Sequence, residues 1–295
     1  MMDDLNEFLK TAWNDHGDAP QEVADRLALA CSRVETSEQV APFVRLLVHV
    51  YGEHLGQWQQ GVELLGTLRQ QLQGEPSEMA TAALQKGMAT LRYASDNAAA
   101  LEALAPPLRI SALAGAAAAL SGRGEITRAI TAFTEALRIA DAGLPEGSPA
   151  FRELAIAGNN LAGTLEGKAD RQPDETRAML VSAEAGLKYW KLAGTWLEQE
   201  RAEYRLARSL LQAGETGAAV EAAQRCVDVC LHNGAPAFEL FFGYAVLAIA
   251  QRAAGQTDAY LRSQATALAQ WQAVPEAERV WCQSDLDELG CTMAA

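Results

Sequence analysis

The chain has 295 residues, 49% hydrophobic and 21% charged, with a formal net charge of −14. Such a composition excludes disorder, and the negative charge repels phosphate backbones and anionic lipid, which argues against nucleic-acid and membrane partners. The opening MMDDLNEFLK carries acids where a secretory leader carries bases, and the longest apolar interlude, Tyr244 to Ala250, falls far short of the ~20 residues that cross a bilayer; a cytoplasmic protein is expected.

Helical periodicity runs nearly throughout and strand-type alternation nowhere, so the fold class is all-α. Residues 3–32 read as one helical hairpin, interrupted by HGDAP before Gln21. Thr36 with Gln39 forms a capping box that opens the next helix. Further breaks fall at GEPS (74–77), GLPEGSP (143–149), KADRQPDE (168–175) and HNGAP (232–236). They divide the chain into roughly fifteen helices with short linkers. Residues 275–289 read as a closing helix whose Trp281, Leu286 and Leu289 cover the last hairpin. The expected organisation is one helical-repeat domain over 1–295: an N-terminal hairpin at 1–35, repeats over 36–273, and a closing helix with its tail over 274–295.

The stretch LAGAAAALSGRGEITRAITAFTEAL, Leu113 to Leu137, is rich in alanine, which forms helices readily but buries little surface. Its pattern supplies the reason. Around a turn at Gly124, Leu113, Ala117 and Leu120 line one stripe, and Ala129, Phe133 and Ala136 line the facing one. The same offsets recur around Gly214, with Leu206, Ala207 and Leu210 before and Ala219, Ala223 and Cys226 after. Around Gly56 they give Val48, then Gly61, Leu65 and Leu68. A hairpin with a lengthened turn places Ala178 and Ala185 in the small positions. Another, around Gly255, keeps Leu247, Ala248 and Ala267 but puts Tyr260 where a small residue belongs. The poorest match lies near Asp96, where Met88 and Ala89 precede the turn, Leu101 follows it, and the second helix is short. Small side chains at such contacts let two helices approach more closely than the usual ~8–10 Å.

These offsets resemble the tetratricopeptide repeat (TPR) superfamily, over roughly residues 37–272, and in the longer loops its kinesin-light-chain or bacterial signal-sensor style. The resemblance implies a right-handed α-α superhelix of roughly five to seven antiparallel hairpins, whose first helices line a concave groove that receives an extended or helical peptide. Carried over residue by residue, the groove presents Asn159 and Glu166, then Arg201, Tyr204 and Arg208, then Phe242, Ala245, Ile249 and Arg252. The family's chaperone-tail clamp requires lysine and asparagine at set positions. Leu46 and Val50, or Ala114 and Ala118, stand there instead, so chaperone tails are not the expected ligand.

The residues themselves draw attention to the segment from Glu198 to Leu211, where Arg201, Arg205 and Arg208 recur at i, i+4 and i+7 beside Tyr204, opposite the Leu206, Ala207 and Leu210 stripe. Guanidinium forks suit carboxylates, so a carboxylate-bearing peptide or partner protein is one expectation. The competing reading is a solvated helix face neutralised by Glu198 and Glu200.

For metals, His49 and His54 lie five apart, which on an α-helix separates them by about 140° and argues against a shared ion. Cys226, Cys230 and His232 approach ligand spacing, yet Cys226 falls on a small packing position and reads as a buried thiol. The five cysteines, odd in number and mostly far apart, do not form a disulfide framework. No nucleophile elbow, phosphate loop, dinucleotide fingerprint or zinc-protease helix is present, so neither an enzyme nor a cofactor is expected. The favoured function is a peptide-binding or protein-binding module. The alternatives are a sensor that binds a small peptide or metabolite and acts through a separate protein, and, less favoured, an (α/α) toroid enzyme.

Overall fold

In the computed structural model, which describes residues 2–72 and 75–290, fourteen α-helices follow one another without a strand among the described residues. They are α1 Met2–Asp15, α2 Pro20–Ala30, α3 Ser37–Val48, α4 Trp58–Gln71, α5 Glu78–Ala94, α6 Pro106–Gly122, α7 Ile126–Ala140, α8 Ala150–Glu166, α9 Pro173–Ala193, α10 Trp196–Gln212, α11 Thr216–His232, α12 Ala237–Ala253, α13 Thr257–Ala273 and α14 Gln283–Glu288. The capping box at Thr36 and Gln39 opens α3 as expected, and Pro20, Pro106 and Pro173 sit in first turns, where the missing N–H leaves no bond unmade. Gly74 of the expected 74–77 break and Cys291 lie outside the described residues.

The turn glycines Gly56, Gly124, Gly214 and Gly255 all take positive φ, between 64° and 81°, a conformation that lets the chain reverse within a few residues. Asp96 does the same without glycine's freedom, at φ 67°, and the hairpin it turns is the incomplete one: its second arm is only the 3₁₀ turn Ala98–Leu101. The turns at Gly124, Gly214 and Gly255 each join two helices that pack side by side, whereas α4, after Gly56, packs chiefly on α5. Ala129, Ala136, Ala219 and Ala223 are wholly buried, as are Leu113, Leu120, Leu65 and Leu68. The hairpins are TPR-like in this respect. In α9 the register slips by one: Ala178 is only half-buried, and Met179 takes the interior place.

Where the sequence suggests one continuous domain, contacts gather into two compact units, Met1–Ala157 and Gly158–Ala295, with the boundary inside α8. In the first, Leu5, Leu27, Phe43, Leu47, Leu65 and Leu68 anchor the core. The alanine-rich α6 is apolar on every side because it is surrounded: α5 and α7 flank it, and the chain after α3 crosses it. That crossing, His49–His54, is a π turn, with Leu55 N–H donating to Val50 O at 3.1 Å. It presses so close that a Cβ on Gly52 would lie 3.2 Å from Ala119 Cβ, and one on Gly122 would lie 2.7 Å from the Glu53 carbonyl oxygen.

In the second unit, Phe241, Ala245, Ile249, Trp271, Cys282, Leu286 and Leu289 form a single apolar cluster. Two expectations are corrected here. Ala245 and Ile249 are buried in this core and present nothing to a groove. Trp281, expected to cover the last hairpin, is 71% exposed. Residues 276–282 wind as a 3₁₀ helix of about three residues per turn, so Trp281 is not part of the α-helical segment that carries Leu286.

Leucine in place of Ala129 or Ala219 should destabilise the protein by about 1–3 kcal/mol, because neither contact has room for added methylenes. Ala98→Leu, on the exposed side of the short arm, should leave the melting temperature nearly unchanged. Thermal denaturation of the three variants checks the contrast.

Candidate functional site

Helix α10 begins at a capping box, Thr195 with Glu198, and buries Leu206 and Ala207 on one side. The arginine stripe lies away from these, and each of its guanidinium groups is paired with a carboxylate. Arg201 Nη2 donates to Glu239 Oε1 at 2.6 Å, Arg205 pairs with Glu166, and Arg208 Nη1 donates to Glu288 Oε2 at 2.6 Å. Tyr204 OH donates to Asp285 Oδ1 at 2.8 Å. The carboxylates that accept hydrogen bonds from these arginines come from α8, α12 and α14, while Glu200 and Glu198 of the same helix add weaker electrostatic support to Arg201. Glu166, expected in the groove, also accepts from Ser209 Oγ at 2.6 Å. Phe242 lies half-buried edge-on to Tyr204, with ring centroids 5.9 Å apart, and Phe238 packs beside it. Arg252 is exposed and stacks over Tyr260, while Asn159 is half-buried in α8. The sequence-derived site residues thus lie on α8, α10 and α12, and the three arginines of α10 are engaged by carboxylates within the chain.

Beneath the Arg201 end lies a buried polar floor. Burial pushes the Glu200 carboxyl up to about 8, and the facing Glu239 adds to the shift. Glu200 Oε2 is buried without a hydrogen-bond donor among the described residues, which is the environment of a carboxyl that keeps its proton. Its other oxygen accepts from Cys226 Sγ at 3.1 Å. The hydrogen bond between Cys226 and Cys230, with burial, holds the Cys226 thiol well above its usual range. With His232 exposed at the end of α11, these cysteines do not form a ligand set. Above the floor a cleft of about 480 Å³ is lined by Arg201, Pro236, Phe238, Glu239, Pro275 and Glu278. Arg201, with 56% of its side chain exposed, reaches into it.

The first unit holds a second constellation, which sequence spacing argues against. His16, His49 and His54 each bring one ring nitrogen within 4.8 Å of the other two. His49 and His54 are separated on an α-helix but not on the π turn that carries them, where hydrogen bonds run from i+5 to i and residues five apart stack. Their Nε2 atoms are 3.2 Å apart. His16 comes from HGDAP after α1, a segment that reads in sequence only as a helix break. The available signal was distribution: three of the four histidines in the chain lie within its first 54 residues. Burial, and after it the nearby imidazoles of His49 and His16, hold His54 below the usual imidazole range.

No protein-family model and no curated protein matches the chain. Among solved structures, it is similar to a protein of Podosopora anserina described as a kinesin light chain with nearly identical TPR-like repeats, at 16% identity and a TM-score of 0.49, covering 76% of this chain and 91% of that one. A single-substitution form of the same protein gives 16% identity and a TM-score of 0.49, over 82% of this chain and 95% of that one.

Arg208 has only 20% of its side chain exposed and ties α10 to α14, so Arg208→Ala should cost about 1–3 kcal/mol of stability. Faster amide exchange in α14 would localise the loss. Glu200 keeps its proton to about pH 8 in the folded chain, against an ordinary 4.5, so the folded state binds more protons between these values. The stability this contributes is full below about pH 4.5 and is lost as pH rises through about 8. Glu200→Gln should therefore flatten the fall in melting temperature between pH 5 and pH 8.5, recovering about 1–3 kcal/mol at the alkaline end.

Proposed function

We propose that the chain is a protein-interaction module that takes a carboxylate-bearing segment of a partner protein at the Arg201 end of α10. The cleft there carries the reading. Its size suits a few side chains of a peptide, Phe238, Pro236 and Pro275 offer apolar contact, and Arg201 is the most exposed of the three arginines. Arg201 directs Nε and Nη2 toward Glu239, which leaves Nη1 to donate to an incoming acceptor. Arg205 and Arg208 are consumed by structural pairs and act by fixing the α10 face rather than by meeting ligand. TPR-like hairpins, which expose one helix face per turn of chain, fit this role.

The test is affinity capture from native lysate, followed by calorimetric titration of the recovered segment against wild type and Arg201→Lys. Lysine keeps a positive charge beside Glu239 but loses the fork, so melting should change little while affinity falls about tenfold. Binding should also weaken as salt rises, despite the overall charge of −14. Affinity indifferent to both salt and Arg201 would remove the partner from this cleft.

A further inference from the structure

We propose that His16, His49 and His54 form a binding site for a divalent transition-metal ion of the zinc class, held by three imidazole nitrogens with one coordination position left open. The inference concerns the first unit and is independent of the reading of α10.

The three rings bring their nitrogens together. Centroid separations are 4.8 Å for His16 and His49, 5.0 Å for His16 and His54, and 4.8 Å for His49 and His54, a nearly equilateral triangle. Three imidazoles on a tetrahedral centre, with metal–nitrogen bonds of about 2.0–2.1 Å, have ligating nitrogens about 3.3 Å apart and centroids about 5 Å apart. The observed Nε2 separation of 3.2 Å between His49 and His54 is already at that value. The ligating nitrogen of His16 lies within 4.8 Å of the other two, so its ring has to close by up to about 1.5 Å to reach the tetrahedral spacing.

Two of the rings have the outer partners that fix a ligand's tautomer. His16 Nδ1 donates to the Trp13 carbonyl at 2.6 Å, and His49 Nδ1 lies 2.8 Å from Glu53 Oε1. Each arrangement puts the proton on Nδ1 and leaves the Nε2 lone pair for a metal. The Glu53 carboxylate adds negative charge beside the site, as the outer acid of a carboxylate–histidine–metal triad does. His54 completes the set by moving its proton from Nε2 to Nδ1, with no net change of charge. Without an ion, that Nε2 proton occupies the contact to His49.

The scaffold holds the rings together from several sides. The Gly52 carbonyl, freed by the π turn, accepts from Trp58 Nε1 at 3.2 Å, and the His54 carbonyl accepts from Arg123 Nη1 at 2.6 Å. Trp13 packs against both His16 and His49, at 5.1 and 5.2 Å between ring centroids. All three histidines are half-buried, so an ion reaches them from solvent without the chain opening. An all-imidazole donor set suits Zn²⁺, Cu²⁺ or Ni²⁺ and gives Mg²⁺ and Ca²⁺ none of the oxygens they require.

The test uses the full chain without a histidine tag, stripped with chelator and titrated with Zn²⁺ alone by calorimetry, with Co²⁺ as an absorbance reporter of geometry. Wild type should bind one Zn²⁺ per chain at micromolar concentration or below, with a melting temperature raised by about 2–5 °C. His16→Ala, in a turn and so tolerated by the fold, and His54→Ala should each weaken binding at least tenfold and abolish the thermal shift. Glu53→Gln should weaken it about 10- to 100-fold while Co²⁺ retains the wild-type spectrum. A chain that takes up no Zn²⁺, or takes it up unchanged in a folded His16→Ala variant, overturns the site. In the second case, Co²⁺ bands from sulfur ligation would assign the uptake to cysteine.

Discussion

The structure depends on helices approaching more closely than ordinary side chains allow. Alanine and glycine occupy the contacts where large residues would hold two helices apart, and the stabilisation comes from many backbone-adjacent atoms meeting at van der Waals distance rather than from a few bulky groups. Gly87 shows how tight this is, since a Cβ there would stand 2.8 Å from Val44 Cγ1 and 3.0 Å from Val48 Cγ2. At Gly61 the corresponding distance to Leu91 Cδ1 is 2.6 Å. These two glycines bring α3, the π turn and α5 together, and Gly194 does the same at the start of α10, where a Cβ would stand 2.9 Å from Trp190 Cε3.

A second constraint follows from charge. A chain with 38 acids and 24 bases has acidic groups to spare, and the bases of α10 are matched by carboxylates from other helices. Truncating one partner strands a poorly solvated charge, so these pairs fix geometry more than they add net stability. Glu203 makes the point: it is almost completely buried, and Lys191 from α9 and Arg225 from α11 converge on it at 3.1 and 3.0 Å. The α10 surface is consequently rigid and polar, with neighbouring helices braced to it on several sides.

Much of the fold was legible in the sequence. Turn glycines, the Thr36 capping box and the alternation of small and large residues depend on local backbone conformation and helical period, and both are written in neighbouring residues. The site was legible only in part. Periodicity aligned Arg201, Arg205 and Arg208, but their partners lie 38, 39 and 80 residues away, and no local pattern encodes them. The misplacements of Trp281 and of the His49 and His54 pair share a cause. Each was judged with the α-helical period in a segment that winds differently, one tighter as 3₁₀ and one wider as π. Departures from α geometry are set by what presses on the segment, here α6 against the π turn, and so are decided by tertiary contact.

The π turn also makes the chain length between α3 and α4 critical. One residue fewer in 49–54 changes the spacing of the two histidines from five to four, and hydrogen bonding from i+4 to i then still places them on one helical face. One residue more makes the spacing six, which neither α nor π winding brings back to a common face. A lineage of such proteins would keep the paired histidines through loss of a single codon and part them through gain of one, with no histidine ever replaced.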